Sequence, residues 1–429
     1  MPARASNVAP ATGRRVRRRA RAAAVPIDGP LGPRRGDAGQ VPPGRGSAAR
    51  VAVDAPPALW GAVAASLAPH LVLVLPVLLL AGCQPRRLDD RTTAPLLPAS
   101  ALEVVADLPH PPGNIAVSDA GRVFFTYHPD GDPPVDVVEL VDGTVVPYPP
   151  RGGVEFDTVL SLRVDRQNRL WTLDYARYGM GQTRLTAFDL ATDQVVQSYD
   201  FPSDVAGFPS MLNDFGVSPD GRHIYIAEAS PVWNTPAIVV YDVEARTSRR
   251  LLHRHPALMP MDFVLQAPGR DMWVYGLVPL RIGVDSIALD RRGEWLYFGP
   301  LTGDRLSRIA TRDLLDASLS PDALATRVED WAPKPISDGI TTDDAGRIYL
   351  SDPEHSAILV IGPDRTLATL VKDDRLRWPD GFSFGPGGWL YVTCSSLHHV
   401  LFVSAGHRDQ HAPYQIFRLQ PGAAAAPGQ

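Results

Sequence analysis

The sequence predicts an all-β chain folded as a six-bladed β-propeller of four-stranded blades. Three observations carry that expectation. One strand–turn–strand pattern occurs six times, further strand candidates separate the copies, and strand-like segments stand at both ends of the repeated region. The copies occupy residues 115–125, 162–171, 215–225, 287–297, 340–349 and 382–391. In the third, FGVSPDGRHIY, apolar residues alternate up to an Asp-Gly turn and an aromatic strand follows. Period-two alternation about such a turn is the pattern of a β-hairpin. Segments such as 237–242 (AIVVYD) and 357–361 (AILVI) add two strands per unit, giving the four of a propeller blade. A sheet of this kind cannot bury both faces alone, so the units must stack around an axis. Residues 102–105 and 415–419, from opposite ends, are expected to complete one shared blade. The longest interval, between the third and fourth copies, holds DMWVY at 271–275, expected to be an extra strand pair or an insertion.

Composition agrees with a large, turn-rich β domain at 101–420: 45% of the 429 residues are hydrophobic, and there are 43 prolines and 36 glycines. Charge is unevenly placed. Residues 1–50 hold eleven arginines against Asp28 and Asp37, so the part beyond Cys83 is strongly acidic although the whole chain carries only −5. That balance argues against nucleic acid as a partner and favours neutral, cationic or metal-bearing ligands. The arginine-rich segment 1–50 reads as disordered or as upstream of the true start. Residues 51–83 read as a signal peptide. Their apolar run 71–80 is interrupted by Pro76 and, at ~1.5 Å per residue, spans about half a bilayer. The run ends in Leu80-Ala81-Gly82-Cys83, which resembles a bacterial lipobox and implies lipidation of Cys83. The protein is therefore expected to be exported, lipid-anchored to a bacterial membrane or secreted, and monomeric. Residues 84–100 read as a flexible tether and 421–429 as a disordered tail. Cys394, in the strand pattern LYVTC, reads as a small buried hydrophobe, and no disulfide framework is expected.

Several strings resemble the Yellow/major royal jelly protein family. These are VLSLRVD running to LWTLD (159–174), LTAFDL (185–190), LNDF (212–215), GVDSIALDRRGEWLYFGPL (283–301) and WPDG (378–381), in family order over most of 101–420. The resemblance implies the propeller fold, and it implies either a dopachrome-tautomerase-like isomerisation or binding of small amines or sterols. The regucalcin/gluconolactonase propellers are more distant cousins. They hold a divalent metal with Glu, Asn and Asp at the axis, but their first-blade Glu-Gly-Pro is replaced here by Gly113-Asn114.

Aligned on their first strands, the copies begin with Gly113-Asn114, Leu160-Ser161, Asn213-Asp214, Asp285-Ser286, Asp338-Gly339 and Asp380-Gly381. In a propeller these positions point into the mouth of the central channel. Asn114, Asn213, Asp285, Asp338 and Asp380, with Trp378 as a wall, form the candidate ligand-binding rim. Asp338 and Asp380 are the candidate catalytic groups. Oxygens around an axis suit calcium or another hard divalent cation, with Asn213, Asp338 and Asp380 as its ligands should one be held. They equally suit a cationic amine, or general-base work by a crowded carboxylate. The structural alternative is Asp-Gly turn chemistry at each strand entry. Three functions stay open: a small-molecule-binding or isomerising propeller, a metal-dependent lactonase or hydrolase, and a non-catalytic interaction scaffold. The histidines at 253, 255, 398, 399, 407 and 411 read as loop residues without zinc-site spacing. Trp171, Trp295 and Trp389 recur on second strands and read as inter-blade core, whereas Trp233 and Trp378 fall in loops.

Overall fold

A computed structural model describes residues 86–426 and Gly428. The arginine-rich segment, the export signal and Cys83 lie outside the described residues. The chain forms six four-stranded antiparallel sheets arranged as a propeller. The innermost strands of blades one to six are, in order, Pro112–Val117, Val159–Val164, Leu212–Val217, Val284–Leu289, Ile340–Thr342 and Pro379–Gly385. Blade six closes the ring as expected: its outermost strand, Glu103–Leu108, comes from the N-terminal side and pairs antiparallel with Tyr414–Leu419.

Alternation along each strand divides residues between two neighbouring blades, so both faces are apolar. In blade one, Ala116 and Phe124 pack towards Leu162, Leu170 and Phe188 of blade two. Ile115, Val117 and Phe125 pack towards Tyr391 and Ile416 of blade six. The described core separates into six such clusters, one for each interface between adjacent blades. The aromatic column of the repeat, Phe124, Trp171, Tyr225, Tyr297, Tyr349 and Tyr391, supplies one ring to each interface with the following blade. Trp171 is thus inter-blade core as expected. Trp295 and Trp389, at strand entries, pack on the edges of their inter-blade clusters, half-buried beneath the guanidinium groups of Arg308 and Arg418 at 3.8 and 4.3 Å.

The Asp of the repeat organises its hairpin. Asp165 accepts the backbone N–H groups of Gln167 and Arg169 and the Trp171 indole N–H. Asp343 does the same for Ala345, Arg347 and the Tyr349 hydroxyl.

Two segments differ from expectation. Residues 86–100, read as a tether, run along the propeller in specific contact. The Arg86 carbonyl accepts from Val264, Arg91 donates to the carbonyls of Asp304 and Lys334, and Leu96 and Leu97 donate to Thr369 and Leu370. The tail also packs: the Ala424 carbonyl accepts from Asp344, and Gly428 donates to Phe384. The interval between the third and fourth copies is an insertion of two short ribbons, Gln266–Ala267 with Arg270–Asp271 and Trp273–Val274 with Val278–Pro279. Its Phe263, Leu265, Met272 and Leu280 join the core cluster between blades six and one, so the insertion reaches over the end of the propeller.

Candidate functional site

At the entry of the innermost strand, the pairing register slips in five of the six blades, between Pro112/Ile115, Val159/Ser161, Leu212/Phe215, Val284/Ser286 and Pro379/Phe382. Such bulges leave residues unpaired and re-aim their side chains. In blades one, three, four and six they accompany the turn of Asn114, Asn213 with Asp214, Asp285 and Asp380 towards the axis, and Asp338 of blade five reaches it without a slip. Hydroxyls on neighbouring strands then hold the freed carbonyls of the next blade. Thr126 donates to Leu160, Ser161 to Asn213, Ser286 to Asp338, and Thr393 to Gly113, at 2.5–2.7 Å.

The glycines that follow Asp338 and Asp380 serve this close approach. Neither has a left-handed backbone, and a Cβ on Gly339 would lie 1.8 Å from the Asp380 carbonyl oxygen. On Gly381 it would lie 2.8 Å from the Asn114 Cα. Turn chemistry therefore does not explain these Asp-Gly pairs; contact between adjacent blades does.

The result is a cavity of about 560 Å³ at the axis, the size of a small-molecule site. It brings together all six candidate residues: Asn114, Asn213, Asp285, Asp338, Asp380 and Trp378. Its floor is a network. Asn114 donates to Asp214 and accepts from Arg163, whose guanidinium lies 3.5 Å from Asp214. Asn213 donates to Asp285, and the buried Trp378 indole donates to Asp338 at 2.7 Å. The walls are apolar, with Leu280 and Ile282 of the insertion and Leu397 and Leu401 of blade six. Tyr178, Asn234, Trp378 and Phe402, all lining residues, have left-handed backbones, a strain that clusters where loops converge on a site.

Burial raises every axial carboxyl, and repulsion between them adds to it at Asp285, Asp338 and Asp380. Burial lifts Asp338 to about 7, helped by the Asp214 charge and opposed by the Trp378 hydrogen bond and Lys334. Burial, then the charges of Asp338 and Asp214, raises both Asp285 and Asp380 well above the usual range. Asp214 rises through burial, against the pull of Arg163 and Asn114. Lys334, fully buried and donating to the Gly303 and Pro335 carbonyls, is lowered by desolvation to about 7. The floor therefore mixes protonated and ionised groups near neutral pH.

A calcium ion needs oxygens about 2.3–2.6 Å from one point. Among the described residues no three axial carboxylates bring oxygens within 4.8 Å of one another, and Asp214, Asp285 and Asp338 each accept from a neighbour.

The sequence reading missed Asp214, Arg163, His128 and Tyr175. Asp214 sits beside Asn213 in the repeat, and strict alternation would turn the two apart, but the bulge turns both inward. Arg163 lies within the blade-two copy, where its side chain had no evident role. His128 and Tyr175 come from loops that only the ring brings to the mouth. The histidine reading also needs correcting. His399, His407 and His411, expected as scattered loop residues, form the one group of three or more His, Cys, Asp or Glu among the described residues with ligand atoms within 4.8 Å. Folding of the 395–413 excursion brings them together, which their spacing alone did not suggest.

The fold and site define a closed six-bladed propeller with an acidic, apolar-walled axial cavity. Residues 158–381, just over half the chain, match the family described as major royal jelly protein, and the chain belongs to that family. No curated protein sequence matches it. Among solved structures it is similar to a luciferin-regenerating enzyme (TM-score 0.50, 12% identity, 76% of this chain and 97% of that one). It is also similar to a gluconolactonase from Xanthomonas campestris (0.48, 16%, 79% and 95%). A third is the calcium-binding protein regucalcin from Agrobacterium tumefaciens (0.48, 15%, 76% and 95%).

Proposed function

We propose that the axial cavity binds a small organic molecule with a cationic or hydrogen-bond-donating head and an apolar body. The head meets Asp338 and Asp380; the body packs on Leu280, Ile282, Leu397 and Leu401. The observation that carries this reading is the pairing of a ring of raised carboxyls with an apolar wall in one cavity. The same ring suits proton movement. An ionised carboxylate takes a proton from carbon while a protonated neighbour returns one to oxygen, a net isomerisation of the dopachrome-tautomerase type.

Calorimetry with arylalkylamines such as dopamine tests the binding reading. Asp380→Asn removes a charge-assisted contact of about 1.5–3 kcal/mol, so it should weaken binding by roughly ten- to a hundredfold. Equal affinity for a probe with hydroxyl in place of amine would refute recognition of the cationic head. Calcium binding lost with Asp380→Asn would instead favour the metal-dependent hydrolase reading. On the export reading, a lipid on Cys83 stands three residues before Arg86, about 10 Å of chain at most. Arg86 lies against Phe263 of the insertion that walls the mouth, so the anchor would hold the mouth near the membrane. Release of a Cys83→Ala variant from the membrane fraction tests that arrangement.

A further inference from the structure

The excursion between the second and third strands of blade six, residues 395–413, carries four histidines in a small volume. His398 and His399 end the short turn Leu397–His399, His407 lies in the helix Ala405–Gln410, and His411 caps it. Nitrogens of His399, His407 and His411 all lie within 4.8 Å of one another. His399 Nδ1 and His407 Nε2 face each other at 3.3 Å. That separation is the edge of a zinc tetrahedron: Zn–N bonds of about 2.0–2.1 Å at the tetrahedral angle put two ligand nitrogens roughly 3.3–3.4 Å apart. His411 Nδ1 lies 2.7 Å from the His407 carbonyl oxygen, which can only accept. The proton is therefore on Nδ1, and Nε2 keeps its lone pair. The His411 ring stacks on those of His399 and His407, with centroids 3.7 and 4.2 Å apart, so it must turn for its lone pair to meet an ion shared with them. No carboxylate among the described residues pairs with any of the three, so an ion pair does not account for the cluster. The neighbouring cations are already occupied by carbonyls. Arg270 donates to those of His398 and Leu401, and Arg377 to those of His411 and Pro413.

We propose that His399, His407 and His411 form a transition-metal site, fit for Zn²⁺ with a fourth position left to water. Three imidazoles without carboxylate oxygens select a borderline-soft ion over calcium or magnesium. The site's position gives it a structural role. His398, next to one ligand, stacks on Trp378 with ring centroids 6.2 Å apart, and Trp378 donates to Asp338. The same excursion supplies Leu397, Leu401 and Phe402 to the cavity wall. A bound ion ties the turn Leu397–His399 to the helix Ala405–Gln410 and fixes that wall. The site is separate from the axial carboxylates and does not depend on what the cavity binds.

The test uses the purified full chain, stripped with EDTA and titrated with ZnCl₂ alone. One Zn²⁺ per chain is expected, and Co²⁺ loaded in its place should give the visible absorption of a four-coordinate nitrogen-ligated site. The double variant His407→Gln/His411→Gln, at partly exposed positions, should keep its circular dichroism and weaken zinc binding at least a hundredfold, while Asp380→Asn retains it. Zinc should also slow proteolysis of the 395–413 excursion in the wild type and not in the double variant. Absence of zinc uptake at micromolar concentrations, unchanged stoichiometry in the double variant, or loss of zinc in Asp380→Asn would each overturn the assignment.

Discussion

Trp378 illustrates how much one side chain does at this site. It is fully buried with a left-handed backbone, closes the cavity wall, and donates its indole N–H to the carboxyl placed at about 7. That hydrogen bond favours the ionised form of Asp338, so its loss should raise the carboxyl further. Trp378→Phe keeps most of the ring volume and removes the donor. The acid limb of any pH profile that depends on ionised Asp338, for ligand binding or turnover, should then move to higher pH. An unchanged limb would assign the limb to another group. Asp380, only partly buried, is the carboxyl most open to a ligand, which is why its replacement is the more direct probe of binding.

At the scale of the element, the repeated unit is a hairpin with two separable devices. The Asp of the turn satisfies local donors, while the polar pair at the strand entry is re-aimed by a bulge and held by a hydroxyl from the preceding blade. The second device requires glycine where blades approach most closely. Gly339→Ala sets a methyl group against backbone that cannot rotate away, and should cost at least the roughly 1–3 kcal/mol typical of overpacking. Gly346→Ala sits in a turn with open space around it and a φ of +78°, so only the left-handed backbone penalises it, by about 1 kcal/mol. Urea unfolding of both variants separates the two causes. Equal losses would mean that the contact between blades five and six relaxes freely.

At the scale of the molecule, the axial groups give the propeller a characteristic pH dependence. The folded protein keeps a proton on Asp338 up to about 7, whereas an unfolded aspartate releases it near 3.8. Asp285 and Asp380 are raised in the same direction. The contribution of Asp338 to stability is therefore fully present below about pH 4 and is lost as pH rises through about 7. Lys334 acts in a different window. Its folded value of about 7 lies below the ordinary 10.5, so the penalty for burying it is complete below 7 and is relieved as pH rises towards 10.5. Asp338 and Lys334 together place a minimum of their joint contribution near neutrality. Asp338→Asn, which keeps an oxygen for the Trp378 indole, should gain on the wild type between pH 5 and pH 8 in denaturant midpoints. A constant difference across that range would show that Asp338 ionises normally.

Much of this protein was legible in its sequence, because the hairpin is a local object. Alternation about an Asp-Gly turn needs only a dozen neighbouring residues, and six copies with strands at both ends already imply a ring closed by Glu103–Leu108 on Tyr414–Leu419. The rim was legible for the same reason: Asn213, Asp285, Asp338 and Asp380 share one position in the repeat, and Asn114 stands at the next. What tertiary structure alone decided lies where the repeat is broken or where neighbours meet. Asp214 joins the floor through a register slip, Gly339 is needed because the Asp380 carbonyl of the next blade passes beside it, and residues 91–97 are held by partners more than two hundred positions away. The three clustered histidines belong to the same class. Spacing along a chain records distance through bonds, and only the packed ring sets distance through space.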